Sequence, residues 1–213
     1  MKNIILFAVI SCCFLSCSSS KHSSASKWIS LFDGKTLNGW KVGDNATTFS
    51  IENGTIAVNG NVAHLFYDGD VQQHQFKNFE FKAEVMTLPG SNSGIYFHTQ
   101  FQQKGWPQKG YEVQVNNSHT DWRRTGSLYA IEDVKEVYVK DNEWYTEYIA
   151  VTGKRIVIKI NDKIVVDYTE PENVKREKGM EQRLISGGTF ALQGHDPKSK
   201  VFYRNIMVKV LPD

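Results

Sequence analysis

Apolar and polar residues alternate in short runs along most of this chain, and no segment sustains the 3.6-residue apolar period of an amphipathic helix. Phe79-Glu80-Phe81-Lys82-Ala83-Glu84-Val85 puts its apolar side chains on one face and its charged ones on the other, the pattern of a half-buried strand. Tyr111-Glu112-Val113-Gln114-Val115-Asn116 repeats it. Residues 50–52 and 55–58 flank Asn53-Gly54, and residues 156–160 and 163–168 flank Asn161-Asp162, so each pair predicts a hairpin with a two-residue turn. A last strand is predicted over residues 201–211. Turn clusters separate these runs at Asp33-Gly34, Asp68-Gly69, Pro89-Gly90-Ser91-Asn92-Ser93-Gly94 and Gly187-Gly188. Residues 170–182 are polar throughout and read as a loop with a short helical turn. Many short strands without intervening helices predict an all-β domain, two antiparallel sheets packed as a sandwich or jelly roll. There is no internal repeat and no sign of a second domain.

The N-terminus departs from this pattern. One lysine, an apolar stretch from Ile4 to Leu15 and a small residue precede Cys17. That stretch is too short to span a bilayer and fits a signal peptide over residues 1–17. Phe14-Leu15-Ser16-Cys17 resembles a bacterial lipobox, which makes Cys17 the expected lipid-attachment site. Ordinary secretory cleavage is the alternative. Residues 18–27 form a Ser-rich tether, and the folded domain is expected over residues 28–213. The expected location is the bacterial cell envelope, periplasm or outer membrane, with the membrane touched only through the lipid. All three cysteines lie in the leader, so the folded region has no disulfide and no cysteine metal site.

Composition narrows the function classes. Of 213 residues, 25 are Lys or Arg and 23 Asp or Glu, a net charge of +2, with a pI near 8.3. That balance argues against a nucleic-acid binder, which carries a concentrated basic patch. Roughly 185 residues remain beyond the leader, enough for one substantial core.

Strand alternation places Glu112, Gln114 and Asn116 on one face. Tyr96 and His98 share a face of the preceding strand, and Gln193 and His195 a face of the penultimate one. A single polar strip is an ordinary solvated face. Three of them, with imidazoles among them, suggest a lined groove. His64, His74, His98, His119 and His195 show no metal-ligand spacing, so no metal or other cofactor is expected; a divalent ion held by separate strands stays the open alternative. No Gly-x-Ser-x-Gly elbow and no phosphate loop is present. Trp122-Arg123-Arg124 reads as an exposed loop or a sugar-contacting one. Arg204 lies in an apolar strand and needs a carboxylate partner if it is partly buried, with Glu112 the natural choice.

Taken together, the motifs resemble the 3-keto-disaccharide hydrolase domain family. The matching stretches are Trp28-Ile29-Ser30-Leu31-Phe32-Asp33-Gly34-Lys35-Thr36-Leu37-Asn38-Gly39-Trp40, Asn92-Ser93-Gly94-Ile95-Tyr96-Phe97, Gly110-Tyr111-Glu112-Val113-Gln114-Val115 and Thr125-Gly126-Ser127-Leu128-Tyr129. Leu192-Gln193-Gly194-His195 and Phe202-Tyr203-Arg204-Asn205-Ile206 complete the order. The resemblance implies a concanavalin-like jelly roll with a sugar-binding concave face, and action on glycosides oxidised at C3. Two departures fall at the expected groove rim: Asn116-Asn117-Ser118 where an acidic residue is common, and Asp196-Pro197 where a glycine often follows the histidine.

An ordinary glycosidase needs two carboxylates. Here Glu112 is followed on its face by Gln114, an amide, so conventional hydrolysis is disfavoured; Asp121 or Glu132 would have to supply the second carboxylate. A C3 ketone acidifies the C2 proton and makes the C1 substituent a leaving group β to a carbonyl, which opens elimination followed by hydration. The expected roles are Glu112 and His195 as the acid/base pair and Arg204 as the charge stabiliser or orienter of Glu112. Tyr96, His98, Gln114, Tyr129 and Gln193 are expected to hold sugar hydroxyls. The partner is a carbohydrate substrate, with a metabolic link to a sugar 3-dehydrogenase. The rival reading is a non-catalytic carbohydrate-binding lipoprotein on the same scaffold.

Overall fold

The computed structural model describes residues 27–213. The expected signal peptide, Cys17 and all of the expected tether but its last residue lie outside the described residues. Thirteen strands follow in chain order. They are β1 (Ile29–Ser30), β2 (Trp40–Val42), β3 (Phe49–Glu52), β4 (Thr55–Val58), β5 (Ala63–Tyr67), β6 (Phe79–Thr87) and β7 (Ser93–Thr99). Then come β8 (Tyr111–Val115), β9 (Tyr145–Thr152), β10 (Arg155–Ile160), β11 (Lys163–Thr169), β12 (Thr189–Gly194) and β13 (Val201–Val210). The larger sheet runs β11-β10-β9-β6-β13-β4-β3, with β1 also on β13; the smaller runs β2-β5-β12-β7-β8. Every pairing is antiparallel. The predicted sandwich is therefore correct in class.

The core fills the space between the sheets. Phe79, Phe81, Ala83 and Val85 on β6 meet Phe97, Val113, Val115, Phe190 and Leu192 from the smaller sheet. Each such fully buried Val, Leu or Phe side chain stabilises the fold by about 1.5–3 kcal/mol. Both predicted hairpins form. Asn53 and Gly54 take φ of 50° and 79°, the left-handed pair a tight hairpin turn demands, and Glu52 pairs with Thr55 across it. Residues 170–182 form turns without the expected helical turn.

The smaller sheet is buried on both faces. Its inner face joins the core, while Phe66, Tyr96 and Ala191 form a second apolar cluster on the outer face, beneath the loops that cover it. This double burial positions the site. A polar side chain on the outer face of β8 is held away from bulk water.

Two expected site residues sit elsewhere. Arg204 belongs to β13 of the larger sheet and does not approach Glu112. Its Nε donates to Glu84 Oε2 at 2.6 Å, directly across the β13–β6 register, and its guanidinium stacks on Trp144 at 4.0 Å. His98 does not share a face with Tyr96. The β12–β7 register pairs Ala191 with Tyr96 but Thr189 with Thr99, so β7 carries one extra residue, and His98 takes a φ of 54° at this bulge. The ring turns to Phe79 and Phe97, with Nε2 against Lys77 O at 2.9 Å, and burial lowers its pKa to about 4.

Candidate active site

The outer face of the smaller sheet carries a cleft of about 520 Å³, within the range of small-ligand sites. Tyr96 (β7), Glu112 and Gln114 (β8) and Gln193 (β12) form its floor, and Tyr129 and His195 line it from adjoining segments. Six of the eight residues expected to act on or hold substrate thus converge. Residues 102–108, with Trp106 at 45% exposure, form one wall; Gly179, Met180 and Arg183 form the other.

Glu112 is the centre. It is 4% exposed, yet each carboxyl oxygen has a donor: Tyr96 OH to Oε2 at 2.8 Å and Gln193 Nε2 to Oε1 at 2.7 Å. The guanidinium beside it is Arg183, with Nη2 at 3.5 Å from Oε2. Burial pushes the Glu112 carboxyl above the usual carboxylate range, against the opposing pull of Arg183 and the two hydrogen bonds. Nothing in the sequence pattern marked Arg183, one of several basic residues in a polar segment. It arrives through a clasp. Arg176 Nε donates to Arg183 O at 2.8 Å, and Arg176 Nη2 donates to Tyr111 OH at 2.6 Å and Tyr168 OH at 3.0 Å. Glu170, bonded to Tyr111 OH, accepts from Ile185 N at 2.9 Å. The expected guanidinium role is met from the loop rather than from β13.

Space for the Glu112 carboxyl comes from Gly94, which faces Gln114 across β7–β8. A Cβ there would lie 2.7 Å from Glu112 Oε1. Gly94→Ala should therefore displace a carboxyl held on both oxygens; if that carboxyl acts on substrate, kcat should fall by about 10²-fold, the cost of misplacing a reacting group by an ångström. Steady-state kinetics with circular dichroism checks this; near-normal kcat in a folded variant would remove Glu112 from the reaction.

Buried acceptors surround the carboxyl. Gln114 Nε2 donates to Asn92 Oδ1 at 3.0 Å, while Gln114 Oε1 and Gln193 Oε1 have no partner among the described residues. Buried carbonyl oxygens in that state suit sugar hydroxyls. His64 lies beneath Trp106, its ring 5.5 Å from the indole and 5.3 Å from Tyr96; burial lowers its pKa to about 3, so it is neutral. Tyr129 is fixed by its N–H to Glu112 O at 3.0 Å, which lays residues 125–129 along the free edge of β8.

His195 stands at the rim, 30% exposed, 5.5 Å ring to ring from Trp106 and 5.4 Å from His119. His119, His195 and Asp196 offer ligand-type atoms all within 4.8 Å of one another. His119 Nδ1 accepts the Asp121 N–H at 3.1 Å, which puts the proton of the neutral imidazole on Nε2. Of the two acidic residues considered as a second carboxylate, Asp121 lines the cleft and Glu132 does not.

A two-sheet sandwich with a carboxyl-centred cleft on its smaller sheet is a concanavalin-like, carbohydrate-type scaffold. The family model for the 3-keto-alpha-glucoside-1,2-lyase-like domain matches residues 27–209, and the chain belongs to that family. It is 29% identical over 233 residues to a 3-keto-disaccharide hydrolase of Bacteroides thetaiotaomicron, covering 88% of this chain and 79% of that protein. A crystal structure of an inferred glycosyl hydrolase from Parabacteroides distasonis superposes with a TM-score of 0.73 at 22% identity, covering 87% of this chain and 94% of the other. The carbohydrate-binding module CBM66 of Bacillus subtilis superposes at 0.59 with 14% identity, covering 80% and 95%. The last two share the fold.

Proposed function

We propose that this protein cleaves the glycosidic bond of 3-keto-disaccharides by elimination and then hydrates the product. The observation that carries the reading is the single buried carboxyl, Glu112, clamped by Tyr96, Gln193 and Arg183 in a cleft that holds an imidazole at its rim. His195 removes the proton from C2. The C2–H electron pair passes into the C2–C3 enolate; as the enolate collapses, the C1–C2 double bond forms and the C1–O bond breaks, and Glu112 delivers a proton to the departing oxygen. Arg183 stabilises the negative charge that develops on the C3 oxygen. Water then adds at C1 and a proton returns to C2, releasing 3-ketoglucose. Glu112 suits the acid role because burial keeps its proton to higher pH than in a free side chain. The scheme uses protein side chains alone. Cys17 anchors the domain in the bacterial envelope, and a sugar 3-dehydrogenase supplies the substrate.

The test is incubation with a 3-keto-disaccharide and with its unoxidised parent. Free 3-ketoglucose should appear only from the former, with a primary kinetic isotope effect on C2-deuterated substrate. Binding without turnover would favour the carbohydrate-binding alternative. Turnover without an isotope effect would favour direct displacement, with Asp121 as the second carboxylate.

A further inference from the structure

His195 is followed by Asp196-Pro197-Lys198-Ser199, the stretch where the family resemblance breaks. The geometry points to a role for it: we propose that Asp196 is the positioning residue of His195, fixing the imidazole tautomer that leaves Nε2 free to take a proton from substrate. This rests on the acid/base assignment of His195 above.

The argument starts from the turn. Pro197 occupies the second position of a β-turn closed by Ser199 N–H to Asp196 O at 3.1 Å. Within it, Asp196 Oδ1 accepts the backbone N–H of Lys198 at 2.8 Å and of Ser199 at 3.2 Å. One carboxyl oxygen is thus tied to the backbone. The other, Oδ2, faces the Ser199 hydroxyl at 2.8 Å and His195 Nδ1 at 2.7 Å. These hydrogen bonds hold the Asp196 carboxyl down at about 2, so it is ionised and only accepts. Nδ1 of His195 therefore carries a proton, and in the neutral ring the lone pair sits on Nε2, which no group among the described residues engages.

The mount is rigid on its far side as well. Ser199 Oγ accepts Asn92 N–H at 2.9 Å, and Asn92 Oδ1 accepts from Gln114 on the cleft floor. The turn and the floor thus move as one unit. Trp106 and His119 confine the His195 ring from two sides.

Asp196→Asn separates this role from simple support of the turn. Asparagine suits the turn, and its Oδ1 keeps the two backbone N–H groups. Its NH₂ then stands where Oδ2 stood and donates to Nδ1, which forces the imidazole proton onto Nε2, the wrong tautomer for a base. The expected result on D196N is a folded protein with a modestly lowered melting temperature, since the ionised carboxylate and its bond from the Ser199 hydroxyl are lost, a kcat lowered by about 10²–10⁴-fold and a smaller change in KM. Nitrogen-15 NMR of the histidine side chains should show protonated Nδ1 for His195 in the native protein and protonated Nε2 in D196N. The proposal is overturned if D196N keeps the native tautomer, or if the tautomer switches and kcat does not fall. His195→Ala tests the underlying reading separately: full turnover there would remove His195 from the chemistry, whatever the NMR of D196N shows.

Discussion

Glu112→Gln should lower turnover of a 3-keto-disaccharide by about 10²–10⁴-fold while the protein stays folded. The substitution keeps the volume of a side chain that is 4% exposed, so no cavity forms. Two opposed effects decide its stability. Where Glu112 is ionised, neutralising it removes the cost of burying a charge but leaves Arg183 without its counter-ion at 3.5 Å; where burial keeps it protonated, the amide changes no charge. The amide also has only one acceptor for the two donors, Tyr96 OH and Gln193 Nε2, that the carboxyl receives. These effects offset in the melting temperature. They do not offset in catalysis, because an amide cannot deliver a proton to a leaving oxygen. Release of 3-ketoglucose under saturating substrate is the measurement, with Arg183→Met as the companion. If both variants turned over at the native rate, the buried cluster would be a binding floor and the carbohydrate-binding reading would take precedence.

The second large effect lies away from the cleft. Glu147 on β9 points into the core between Tyr145 and Ile149, and neither carboxyl oxygen has a partner among the described residues. Burial pushes its pKa well above the model-peptide range, with no compensating cation. A raised folded-state pKa means that the folded protein binds more protons than the unfolded one between the two values. The contribution is fully present below the ordinary glutamate range and is lost as pH rises through the folded-state value. Glu112 works in the same direction, since its shift has the same sign. Glu147→Met, which fills the same volume with an unbranched apolar chain, should stabilise the fold by about 1–3 kcal/mol at neutral pH, the cost of an unsatisfied buried polar group. The gap between variant and native protein should widen toward alkaline pH. Urea titrations at several pH values measure it directly. A gap that is constant with pH would mean that the Glu147 carboxyl finds a charge partner in solution.

Much of the site was legible beforehand because strand alternation is a local signal. Glu112 and Gln114 share a face by spacing alone, and their neighbours Tyr111, Val113 and Val115 are core residues as expected. Gln193 and His195 follow the same rule at the end of β12. His98 broke it, since one extra residue in β7 reverses the facing of everything beyond the bulge, and no residue type there announces it. Arg204 failed for a different reason. Its strand and its need for a carboxylate were read correctly, but which sheet β13 joins, and so which carboxylate it meets, depends on pairing with β6, more than a hundred residues earlier. Arg183 was invisible because its position depends on the Arg176 and Glu170 clasp, in which side chains grip the loop backbone with no periodicity. Asp196 stood in plain view as a departure from the family pattern; only the folded turn shows its carboxylate against the imidazole.

The sequence by itself determined the all-β class, the two tight hairpins, and the set of polar residues on β7, β8 and β12 from which a cleft is built. Backbone conformational preference and the two-residue period of a strand act over a few positions, so they can be read from the chain. Tertiary structure alone decided which guanidinium reaches Glu112, which histidine faces the cleft, and that Glu147 lies dry in the core. Each of those depends on sheet membership, register or loop closure, where the free energy comes from contacts between segments far apart in the chain.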